Sequence, residues 1–148
     1  MAGHQEALSP APPARRLALL AGALALAVLG GACRRGEFRL SGAVTIASAL
    51  QRRAPRDNAV LFVIARNHGG VPVAVQRIVN PQFPVKFTLR TEDLLMPDLP
   101  PGAPLDVTVE MNTHGRLGQP QKGDLMGRYP STAYPGDWRV HIVIDTQL

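Results

Sequence analysis

The sequence is poor in the features that would make it easy to place. Its 148 residues contain one cysteine, Cys33, so no internal disulfide can staple the fold. Its main apolar run, Leu17 to Gly31, is shorter than the roughly 18–20 residues that cross a bilayer comfortably as a helix. Aromatic residues make up 5% of the chain. The basic residues are not interleaved with them as a nucleic-acid surface would require, although the formal net charge is +5. Arg34, Arg35, Arg39, Arg52, Arg53 and Arg56 gather early and the rest are scattered, an arrangement better suited to anionic lipid headgroups than to nucleic acid. With 45% apolar and 18% charged residues the chain is neither disordered nor a coiled coil. No long helical period and no alternation of strand and helix runs through it, which excludes α/β architectures.

What it does have is punctuation. Glycine and proline number 14 each and recur at short intervals, the pattern of short strands joined by turns. The length allows one domain behind a targeting segment. Arg15-Arg16, the apolar run and Ala32 have the order of a secretory signal peptide, so the chain is expected to be exported. Leu29-Gly30-Gly31-Ala32-Cys33 resembles the bacterial lipobox, in which the cysteine sulfur is acylated and becomes the mature N-terminus. Gly31 and Ala32 fit that pattern, and Gly30 stands where leucine is usual. Cys33 is therefore the candidate lipidation site, and several acyl chains there would hold the domain firmly at a membrane. Ordinary signal-peptidase cleavage nearby and an uncleaved anchor are the other readings of these residues. After a lipidated Cys33, Arg34 in place of an aspartate favours delivery to the outer membrane. The expected organisation is a leader over 1–32, a tether over 33–41 and a folded domain over 42–148.

Past the leader, short apolar runs and period-two stretches alternate with turn signals. Phe38 to Ile46 predicts a first strand kinked near Gly42, and Ala59 to Ala65 a buried strand. Asn67-His68-Gly69-Gly70 predicts a tight turn into a partner strand over Val71 to Val79, with Val71, Val73, Val75 and Arg77 on one face and Pro72 forcing an edge or a bulge. Phe83 to Leu89, Leu105 to Met111 and Trp138 to Ile144 each alternate as half-buried strands. In the last of these Trp138 shares the inner face with Val140, Ile142 and Ile144. Thr91 to Met96 suggests a helical turn ended by Pro97, and the stretch Pro120 to Pro135 holds at most one short strand. Six or seven short strands make an all-β, immunoglobulin-like antiparallel β-sandwich the expected fold.

Chemistry is hard to find in this domain. A nucleophile needs a base and an orienter, and no serine sits in a nucleophile-elbow sequence. His68 and His114 fall in turns, His141 on an outward face, and Glu92-Asp93 reads as a solvated turn. A blue-copper site needs a cysteine that the folded part lacks, and Met96, Met111 and Met126 show no Met-x-x-Met spacing. The residues imply no cofactor, no metal and no catalysis.

Several segments together carry a resemblance. They are Leu61 to Arg66, Val71 to Arg77, Phe83 to Leu89, Glu92-Asp93-Leu94-Leu95-Met96-Pro97, Gly123-Asp124-Leu125-Met126-Gly127 and Val143-Ile144-Asp145. In order and spacing they resemble the C-terminal periplasmic domain of the cytochrome c biogenesis protein CycH (also called CcmI), an immunoglobulin-like domain, over roughly residues 42–148. The resemblance implies a non-catalytic, chaperone-like module that handles unfolded apocytochrome c in the bacterial periplasm. Full-length members of that family carry two transmembrane helices and a helical-repeat domain. These 148 residues carry neither, and Asn112 to Gly118 diverges from the family's charged strand. A sandwich can hold an unfolded client at a strand edge or in an apolar groove. Leu94, Leu95 and Met96, with Val71 and Val73 on the neighbouring edge, are the candidate partner-binding residues. A structural envelope lipoprotein that packs against a partner complex is the rival reading, and a metal or small-ligand carrier a more distant one.

Overall fold

The computed structural model describes Met1 and residues 36–148, and Cys33 and the leader lie outside the described residues. Residues 36–148 form a compact unit built from seven strands. They are β1 (Arg39–Ile46), β2 (Val60–Arg66), β3 (Pro72–Val79), β4 (Val85–Arg90), β5 (Asp106–Asn112), β6 (Leu125–Arg128) and β7 (Val140–Gln147). A 3-10 turn, Thr91–Asp93, follows β4. No helix among the described residues is long and apolar enough to cross a membrane.

The strands hydrogen-bond in the order β3-β2-β5-β6-β7-β1-β4, one continuous sheet. It closes on itself: its two outermost strands approach each other, and the Thr88 N–H donates to Gln76 Oε1 at 3.3 Å. Five of the six pairings are antiparallel, as the alternating patterns lead one to expect, but β1 and β7 run parallel. At their contact Gly42 lies opposite Val140, and a Cβ on Gly42 would collide with the Val140 carbonyl. The glycine expected to kink β1 instead lets β7 lie close beside it. β1 starts inside the expected tether, since Phe38 and Leu40 are already buried.

The core takes side chains from every strand. Leu40 and Val44 meet Leu61, Val63 and Ala65, then Val85, Phe87 and Leu89, Val107, Val109 and Met111, Leu125, and Val140, Ile142 and Ile144. Period-two alternation in β4, β5 and β7 thus reports the inner face correctly. The continuous apolar run of β2 reports something further. Its outward side chains Val60, Phe62 and Ile64 form a second buried cluster with Val75 and Leu117. The polar side of the half-buried strand β5 is covered as well: Glu110 is buried, and so is Asn112 at the strand's end. The Glu110 carboxylate pairs with the Arg66 guanidinium at 3.4 Å and accepts the Gly118 N–H. Asn112 accepts the Gly115 N–H through Oδ1 and donates through Nδ2 to the Arg116 carbonyl, which folds the loop after β5 back over the sheet. Alternation cannot reveal a loop lying on the polar face.

Trp138 corrects a second expectation. It is 66% exposed, whereas Val140, Ile142 and Ile144 lie inside. β7 begins only at Val140, so the strand's alternation does not extend back to the tryptophan.

Candidate partner-binding surface

The corner between β3 and the segment after β4 is shaped by two local devices. The first is the turn Asn67–Gly70. The Gly70 N–H donates to the Asn67 carbonyl at 2.8 Å, the Val71 N–H donates to Asn67 Oδ1, and Gly70 takes φ 77 without side-chain strain. The second is a bulge. The register between β2 and β3 shifts at Ala65/Arg66, so Arg66 pairs with Pro72 and Ala65 with Ala74, leaving Val73 as the extra residue. A bulge flips the alternation past it. Val73 and Ala74 both enter the core, while Val75 and Arg77 fall on the opposite side. The single face expected for Val71, Val73, Val75 and Arg77 does not exist, and Val73, at 1% exposure, offers nothing to a partner.

The 3-10 turn brings the other candidates to this corner. The Asp93 carboxylate accepts the Arg90 N–H at 2.8 Å and holds the turn, and the Leu94 N–H donates to the Thr91 carbonyl. Leu94 then bridges to Ala74, and the Leu95 N–H donates to the Val73 carbonyl at 2.9 Å. The Leu94 side chain packs on the core. Beyond it, Leu95 and Met96 turn outward at 59% and 47% exposure, and Val71 is 48% exposed. Of five candidate residues, Val71, Leu95 and Met96 are available on the surface. The same segment fills the strand edge at Val73 and Ala74, so an incoming strand would have to displace Leu94 and Leu95 there.

The histidines sit apart. His68 is 3.9 Å from Asp106, and His141 Nε2 lies 3.3 Å from Thr45 Oγ1. His114 lies in the loop after β5 and is largely buried against Asp124 at 3.1 Å. Because His114 Nδ1 accepts the Arg116 N–H, the Nε2–H faces the carboxylate. Asp124 also accepts the Gln121 N–H at 2.7 Å, so this pair anchors the loop that leads into β6. Among the described residues no three His, Cys, Asp or Glu side chains gather as a metal site. Sequence reasoning missed Arg66–Glu110 and His114–Asp124, and their only signal was the polar residues' place beside a loop rich in turn formers.

Fold and surface together define an immunoglobulin-like β-sandwich domain with a small exposed apolar corner. The sequence model described as the cytochrome c-type biogenesis protein H Ig-like domain matches residues 40–145. The chain belongs to that family. Comparison with curated proteins gives no match, and neither does comparison with solved structures.

Proposed function

We propose that this protein is a non-catalytic binding module of the bacterial envelope that handles unfolded apocytochrome c during cytochrome c maturation. The observation that carries the reading is the family match over residues 40–145. The exposed group Val71, Leu95 and Met96 supports it, because a client that has not folded presents apolar side chains for such a corner to cover. Strand addition at Val73–Ala74 is disfavoured by the hydrogen bond from Leu95, so the contact runs through side chains. Export by the leader and acylation at Cys33 tether the module at the periplasmic side of a membrane, the outer one favoured by Arg34.

Calorimetric titration of residues 36–148 with haem-free and haem-loaded cytochrome c tests the client. Selective binding of the haem-free form is expected, weakened about tenfold or more by Leu95→Asp with Met96→Asp, equivalent to about 1.4 kcal/mol. Equal binding of both forms, or of neither, would remove apocytochrome as the client. The plugged strand edge favours one second reading, a structural lipoprotein packing against a partner complex, for which crosslinking in cells is the test.

A further inference from the structure

The loop Tyr134–Arg139 joins the isolated bridge at Ala133 to β7 and contains the only tryptophan of the chain. Trp138 and Tyr134 are 66% and 47% exposed, so neither ring is spent on the core. The loop is nonetheless tightly held. The Asp137 N–H donates to the Tyr134 carbonyl at 3.0 Å, and the Tyr134 N–H donates to Asp137 Oδ2 at 2.8 Å. The Arg139 guanidinium stacks on the Trp138 ring, 3.9 Å from its centroid. The loop is also fastened to the start of β1: the Gly136 N–H donates to the Arg39 carbonyl at 2.7 Å, and the Ser41 N–H donates to the Asp137 carbonyl at 2.9 Å.

Its position in the chain gives this loop a consequence. Only Arg34, Arg35 and Gly36 separate Cys33 from Glu37. Fully extended, each residue reaches at most about 3.5 Å, so an anchor at Cys33 holds Glu37 within roughly 15 Å of the bilayer and Arg39, where β1 begins, within roughly 21 Å. The aromatic loop bonded to that beginning is held there with it. Tryptophan and tyrosine have an apolar body and a polar tip, which suits them to the headgroup layer. We propose that the Tyr134–Arg139 loop is the membrane-resting surface of the domain, with Trp138 and Tyr134 seated among lipid headgroups. This rests on the tether through Cys33 proposed above.

Charge adds to the attraction. Arg39, Arg139 and Lys86, which lines the same shallow hollow as Trp138, favour anionic headgroups, and exposed Glu37 and Glu92 oppose them. Asp93 and Asp137 are engaged by backbone N–H groups. Arg90 pairs with Glu92, and Arg34 and Arg35 beside the anchor add to the basic side, so anionic lipid and low salt strengthen docking while the rings supply the part that salt does not screen.

Because Cys33 is the only cysteine, residues 33–148 can be coupled through it to maleimide-headgroup lipids in vesicles of phosphatidylethanolamine and phosphatidylglycerol. Emission from the single tryptophan then reports on this loop alone. On the vesicles Trp138 emission is expected to shift to the blue and to fall roughly twofold or more when the acyl chains are brominated, as for an indole at the interface. Arg139→Glu combined with Tyr134→Ser should diminish that quenching, and Leu95→Asp should leave it unchanged. Emission identical to that of the uncoupled domain, with coupling confirmed by mass, overturns the proposal. Chemical coupling makes this result independent of natural acylation. Incorporation of labelled palmitate in cells, abolished by Cys33→Ser, tests the tether separately.

Discussion

Strands β2 and β7 both lie inside the sheet with a neighbour on each side, yet their outward faces have opposite fates. On β2 the outward Val60, Phe62 and Ile64 are at most 5% exposed, sealed by Val75, Leu117 and the loop that Glu110 and Asn112 fold back. On β7 the outward His141, Val143 and Asp145 are exposed. The difference teaches that a strand's place in the sheet does not decide whether it is buried on one face or two. What decides it is whether a connection has been drawn across the outside. Seven consecutive apolar residues in Ala59–Ala65 match a strand covered on both sides, and polar–apolar alternation in β7 matches one covered on a single side.

The sharpest way to break the comparison is to empty the outer cluster. Phe62→Ala removes a buried ring whose neighbours Val60, Ile64 and Leu117 cannot all collapse into the space. A loss of about 3–4 kcal/mol is expected in urea unfolding. A cost below about 1 kcal/mol would mean that the second cluster is not packed in solution.

The next effect concerns the lid itself. Glu110→Ala leaves the half-buried Arg66 guanidinium without its partner and the Gly118 N–H without its acceptor. A loss of about 1–3 kcal/mol is expected, with faster hydrogen exchange across residues 113–118 as the more specific sign. Removing both partners together, Arg66→Met with Glu110→Leu, should recover part of the loss, since an apolar pair of similar size leaves no stranded charge. Equal destabilisation by the single and double changes would argue that the pair holds nothing.

This contrast also marks how far the sequence could be read. Strand positions were legible wherever hydrophobic periodicity was clean, as in Val85–Phe87–Leu89 and Val107–Val109–Met111, because period two is a direct image of one buried face. The β2–β3 turn was legible from Asn67 and Gly70 for an equally local reason. Val73 was not, because a bulge is a pairing event between two strands and leaves no mark on one of them. Trp138 was misassigned by carrying the β7 alternation back past the point where the strand begins. The burial of Glu110 on the polar face of β5 was not legible either, because a loop's path across a sheet is set by tertiary hydrogen bonds. At the candidate corner, the sequence marked the segment Leu94–Met96 as a whole and could not divide it. Leu94 goes inward and plugs the edge, and only Leu95 and Met96 remain outside.

The smallest effect compares the two outward faces by one substitution made twice. Val60→Thr and Val143→Thr each exchange a methyl for a hydroxyl and keep β-branching, so strand propensity is nearly constant. Val60, on the outer side of β2, is 5% exposed and packs against the second apolar cluster. A hydroxyl there loses water, and its cost should be about 1–2 kcal/mol. Val143 is 36% exposed between its register partners Thr45 and Arg128, where a hydroxyl stays hydrated. Its cost should stay within about 0.5 kcal/mol. The gap between the two midpoints in one denaturation series measures what the folded-back loop does for β2, free of any change in backbone or shape. If Val143→Thr costs as much as Val60→Thr, then the open face of β7 is covered in solution too. The residues lying against it would then have to be sought outside the seven strands.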